Sequence, residues 1–188
     1  MLLFIITSIL FFGILAFIAQ RKAPEEYNQK INTINELGCQ FYEHRAIMQW
    51  GFKGFGLILI AGILFNPNQS LKELYFSIPL MLYALFMFLS GVFSVKPFEH
   101  LVFYSIKESK KHTFFTQVAG FSVFLLIVMK LVMVTGAVNR IINISVLVLS
   151  LYTSIQSGRD IEKRGLYQRS LYMVNFFWLI YAYSGIMS

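Results

Sequence analysis

From Thr113 to Ile155 the chain is apolar, with Lys130 and Arg140 as the only charged residues. At a helical rise of about 1.5 Å per residue, such a stretch is far too long for one bilayer crossing and suits two. The interruption Gly136-Ala137-Val138-Asn139-Arg140 supplies the turn between them. A backbone in lipid must satisfy its own hydrogen bonds, so these segments are helices.

The rest of the chain obeys the same rule. With 57% hydrophobic and 13% charged residues, it is too apolar for an ordinary soluble domain. The expected fold is an all-α integral membrane protein, a single six-transmembrane-helix bundle over residues 1–188. Spans are expected at about 1–19, 47–65, 74–93, 114–135, 139–156 and 170–187. No lysine or arginine precedes the first run, which favours a retained helix over a signal peptide. Asn66-Pro67-Asn68 reads as a turn, and Pro79 is expected in the first turns of the third span. Lys130 is expected to send its ammonium to the far interface. Gly54, Gly56, Ala61 and Gly62 place the second span at the bundle centre or at a protomer contact, since small residues let backbones approach. Tyr75, Tyr167, Tyr172, Trp178, Tyr181 and Tyr183 fit interfacial belts.

The net charge of +7 is spread over short connections, which argues against a nucleic-acid partner. Of the 16 basic residues, all but Lys72, Lys130 and Arg140 fall in the first, third and fifth connections or at the helix end near Lys53. Positive loops stay cytoplasmic, so the orientation is N-out/C-out, with the basic loops on anionic headgroups of membrane lipids.

Soluble-type chemistry is confined to the polar connections, above all Gln20 to Trp50. One cysteine, Cys39, excludes an internal disulfide and a cysteine-rich metal site. Asp160 is the only aspartate, and no span carries a carboxylate at its centre. That removes an intramembrane aspartyl protease and weakens a carboxylate proton relay. No cofactor and no metal site are expected. The catalytic candidates are Glu36, His44 and His112, and the ligand-binding candidates are Glu36, Arg45, His112 and Arg169. The third connection adds Glu99, His100 and Lys111, and the fifth adds Arg159, Asp160, Glu162 and Arg164. Ile31, Ile34, Leu37 and Phe41 recur at helical spacing, which predicts a short amphipathic helix folded back on the bundle. Glu36 and His112 would then share one pocket.

Several short motifs carry a family resemblance. Tyr27 with Ile34-Asn35-Glu36-Leu37-Gly38 follows the first span, and Gly54 and Gly56 open the second. Gly91-Val92-Phe93-Ser94-Val95-Lys96-Pro97 ends the third, and His112 precedes the fourth. Gly165-Leu166-Tyr167-Gln168-Arg169 leads into a last span bearing Trp178. Together they resemble the bacterial domain-of-unknown-function 998 family, with Asn35 where that family has serine. The resemblance implies a six-helix multi-pass protein of the bacterial inner membrane. The function expected is non-catalytic binding of a lipid, another hydrophobic ligand or a membrane partner, including a second copy of the chain. The alternatives are a headgroup-level enzyme with a cytoplasmic-face Glu/His site, and an oligomeric channel or transporter.

Overall fold

Each long apolar run forms one helix, and each helix stops where polar residues gather. The computed structural model describes residues 1–66, 71–97 and 103–185, with the backbone alone for 71–74. Along these residues lie α1 (Leu2–Arg21), α2 (Arg45–Leu64), α3 (Leu71–Val92), α4 (Ile106–Met133), α5 (Ala137–Arg159) and α6 (Arg164–Tyr183). Short 3-10 helices, Ile34–Gly38 and Ile161–Lys163, sit in the first and last connections. Helices α1 to α5 are long and apolar enough to cross a membrane. Helix α6 is as long as α1, but Arg164, Gln168, Arg169 and Asn175 dilute its apolar character.

Every helix packs on the next, and α6 also reaches α1, so the order around the bundle follows the chain. The contact between α4 and α5 is the sparsest of the consecutive pairs. Aromatic rings fill the centre. Phe12 lies 5.3 Å from Phe52, 5.5 Å from Phe176 and 5.9 Å from Phe55, ring centre to ring centre, each edge to face.

The second span is central, as its small residues predict. A side chain at Gly54 would strike the Phe11 ring of α1, and one at Gly62 would meet Phe4 Cβ at 2.5 Å. On the opposite side, Gly56 lies against the Ala84 carbonyl of α3, and a side chain added at Gly91 of α3 would meet the Gln49 carbonyl at 2.6 Å.

Several expectations are corrected. Helix α4 starts at Ile106 rather than near 114, because the Ser105 hydroxyl caps it by accepting from the Glu108 amide. Helix α6 starts at Arg164 rather than 170, so most of the expected fifth loop is helical; the expected end at 187 lies outside the described residues. Since α3 starts at Leu71, Pro79 sits in the helix interior, where it has no N–H to give the preceding turn. Pro67 and Asn68 of the expected turn are outside the described residues.

Two further corrections concern side-chain roles. Trp178 is buried and donates to Asn143 Oδ1 at 3.0 Å, so it packs inside the bundle, and the partly buried Tyr181 bonds Asn139 Oδ1. Lys130 does end at the far end of the bundle. There its ammonium is held between the Phe76 ring at 4.2 Å and the Tyr183 ring at 5.1 Å rather than extended freely.

Candidate functional site

The three basic connections meet at one end of the bundle, and the first of them organises that end. Its Ile34–Gly38 turn begins with a capping box. The Glu36 carboxylate accepts from the Thr33 amide at 2.8 Å, while the Thr33 side chain serves the Glu36 end. The expected amphipathic helix is shortened to this one turn. Ile34 and Leu37 are buried, whereas Ile31 is exposed and Phe41 is 65% exposed at a φ of 66°. The helical period ends at Gly38, because Cys39 is extended (φ −70°, ψ 161°), so Phe41 no longer shares the face of Ile34 and Leu37. Burying Ile34 and Leu37 still supplies about 1.5–3 kcal/mol each, enough to hold the loop down.

Polar contacts then tie this cap to α6. Arg164 forms an ion pair with Glu36 at 2.5 Å, and Asn32 Nδ2 donates to the same carboxylate at 3.2 Å. The Arg169 guanidinium donates to the Gln29, Asn32 and Gly165 carbonyls at 2.7, 3.0 and 3.0 Å, and to the Tyr27 hydroxyl at 2.7 Å. Tyr27 passes its own proton to the Thr33 carbonyl at 3.0 Å. Burial pushes the Tyr27 hydroxyl up to about 12, a rise that Arg169 only partly opposes. Gly165 allows the approach, because any side chain there would collide with the Asn32 and Gln29 carbonyls.

On its other flank the cap grips the α3–α4 connection. Gln40 Nε2 donates to the Ser105 carbonyl at 2.9 Å, and its oxygen accepts from the Ser105 amide at 2.7 Å.

The predicted site residues therefore separate. Glu36 and Arg169 belong to the cap, each engaged with backbone or an opposite charge. His112 lies elsewhere, buried under the end of α3. Its Nδ1 meets the Ser90 and Phe93 carbonyls at 2.8 and 2.9 Å, so Nδ1 carries the proton. Its Nε2 has no hydrogen-bond partner among the described residues. Glu36 and His112 thus have different hydrogen-bond partners. His44 packs edge-on against Tyr42 at 5.9 Å, at the start of α2. Arg45 is exposed beside a shallow groove with Phe103 and Glu108. Glu99 and His100 lie outside the described residues.

What residue-by-residue reading missed is a cavity of about 520 Å³ where α4 and α5 diverge, closed at the back by α3 and α6. Tyr83, Met87, Val123 and Ile127 form its apolar wall. Asn35, Gln168, Tyr172, Asn175, Ser150 and Ser154 contribute uncharged polar groups, and among the described residues no charged side chain lines it. Asn35 comes from the cap, so the loop held down by Glu36 also closes one end of this space. A signal for it was present: Gln168, Tyr172 and Asn175 recur at four- and three-residue spacing, a polar face on an otherwise apolar helix. No family model, curated protein or solved structure matches this chain.

Proposed function

We propose that this chain is a six-span membrane protein that binds a lipid or other hydrophobic ligand without transforming it. The cavity between α3, α4, α5 and α6 is the observation that carries this reading. Its volume falls in the range of small-molecule sites, and it joins an apolar wall to a few polar groups, as such sites do. Helix α6 crosses with the others in this reading. Its polar side chains are consistent with that, because Gln168, Arg169 and Asn175 all have protein partners. The resemblance to the 998 family agrees with a bacterial inner membrane.

The capped end faces the cytoplasm and the opposite end faces outward. Support comes from charge: Lys30, Arg45, Lys107, Lys110 and Lys163 are exposed around the cap, where anionic headgroups can meet them. At the other end, Lys130 is held between rings and Arg140 Nε donates to the Val134 carbonyl at 3.1 Å. A headgroup-level enzyme is less well supported, because Glu36 is committed to an ion pair and His112 to carbonyls.

Two measurements test the proposal. After Cys39→Ser, single cysteines at Lys110, Gly158 and Gly136 are exposed to an impermeant thiol reagent on intact cells. Labelling at Gly136 alone is expected, and labelling at Lys110 or Gly158 overturns the orientation. Mass spectrometry of lipid carried through purification tests binding: retained lipid is expected, and its loss with Gly120→Phe places it in the cavity.

A further inference from the structure

Four amide side chains line the same cavity; Gln117 stands at its exposed rim, and the other three each have their oxygen engaged within the protein. The Gln168 oxygen accepts from the Ile34 amide at 2.7 Å. That backbone group can only donate, so the Gln168 carbonyl must face it and the NH2 is left for the cavity. The Asn175 oxygen accepts from Ser150 at 2.9 Å, and the Asn35 oxygen from Tyr172 at 3.1 Å. None of the three NH2 groups is sealed away from solvent without a partner, so their donors remain available in the cavity. The nearby hydroxyl of Ser157 is turned inward, donating to the Arg164 carbonyl at 3.4 Å.

A group that accepts hydrogen bonds therefore satisfies this lining better than one that donates. Charge narrows the choice further. Among the described residues no lysine, arginine or histidine borders the space, so a phosphate brought inside would lose its hydration without a counter-ion. A neutral carbonyl oxygen asks for donors alone.

The geometry also supplies a way in. Gln117, Gly120 and Phe121 of α4 and Leu151 and Ser154 of α5 are exposed at the cavity's rim, while Tyr83, Met87, Val123 and Ile127 are buried behind them. The opening faces sideways, where the lipid tails lie if the proposed membrane reading is correct. At Gly120 an added side chain would meet nothing within 4 Å, so the rim has open space at its middle.

We propose that the cavity takes a neutral, carbonyl-bearing lipid, which enters between α4 and α5 and has its carbonyl oxygens accept from the amide donors of the lining, Asn175 in the middle of α6 or Asn35 and Gln168 at the cap. This rests on the lipid-binding function proposed above and names its ligand class. The shared chemistry is a carbonyl on a long apolar chain, available from a diacylglycerol ester or from a quinone ring.

The test uses the full chain in detergent, with three probes: dioleoylglycerol, a long-chain menaquinone and phosphatidylglycerol. Binding is read by native mass spectrometry and by competition against a radiolabelled neutral probe. Binding of dioleoylglycerol or menaquinone is expected, and the stronger of the two identifies the source. Gly120→Phe, which fills open space at the rim, is expected to abolish it. Asn175→Leu, with the same branched skeleton but no donor, is expected to weaken it by up to about tenfold, the scale of one lost hydrogen bond. Circular dichroism checks that both variants fold. If phosphatidylglycerol competes equally with the neutral probes and is blocked by Gly120→Phe, lipid binding stands and the neutral-carbonyl assignment falls. If no probe binds, or if binding ignores Gly120→Phe in a folded protein, the cavity is not the site and both readings fall.

Discussion

Where α2 meets α1 and α3, the helices approach through glycine; where α5 meets α6, they are joined by hydrogen bonds. Gly54 and Gly62 receive the Phe11 and Phe4 side chains, and Gly56 lies against the Ala84 carbonyl. Across the other pair run Asn139 to Tyr181, Asn143 to Trp178 at 3.0 Å, and Ser150 to Asn175 at 2.9 Å. In lipid, apolar side chains gain little by leaving one apolar surrounding for another, so helices associate by close packing or by polar contacts. The glycine seam uses the first and fills its space. The hydrogen-bonded seam uses the second, and polar side chains remain beside it to line a cavity. Tight contact suits a frame, and the looser half holds the cavity.

The largest effect is expected at the cap, which ties the two halves together. Glu36→Ala removes the carboxylate from both the capping box and Arg164, leaving a half-buried guanidinium without its counter-charge. A loss of about 3 kcal/mol is expected, measured by unfolding titration in mixed micelles. Glu36→Gln with Arg164→Gln should be strongly non-additive, whereas Glu36→Gln with His112→Ala should add, because that pair has no common partner. Non-additivity in the second pair would undo the separation described above.

Glycine substitutions sharpen the contrast between the seams. Gly56→Leu drives a side chain into the α3 backbone, which cannot move aside as a flexible side chain can, and about 2 kcal/mol of destabilisation is expected. Gly120→Leu on α4 meets open space and should leave stability unchanged or slightly raised, since leucine is the better helix former. Equal losses in the same unfolding assay would mean that α4 and α5 close more tightly than the structure has them.

The smallest effect is expected in the hydrogen-bonded seam. Asn143→Leu keeps the branched skeleton but strands the Trp178 N–H, at a cost of about 1 kcal/mol. The shift should appear both in the unfolding midpoint and in tryptophan fluorescence, because Trp178 is 2% exposed. An unchanged Trp178 emission would show that this contact does not position the helix.

Much of the frame was legible before any tertiary contact was known. An apolar run near the length of a bilayer crossing has one favourable backbone arrangement in lipid, so the order of six helices follows from the runs and their polar breaks. Gly56 and Gly62 announce close approach in the same way, and Ile34 and Leu37 require the first connection to fold back. Other features depend on which residues meet. Among 16 cations, nothing local to Glu36 selects Arg164, which lies 128 positions away. That pairing exists because Gly165 lets the cap rest on the start of α6. The tyrosines and Trp178 of α6 read locally as interfacial anchors, yet partners on α5 and in the cap draw Tyr172, Trp178 and Tyr181 inward. The cavity is a property of a gap, set by how far α4 stands from α5; the polar face of Gln168, Tyr172 and Asn175 marks one wall of it in the sequence, but the gap itself exists only once the helices are packed.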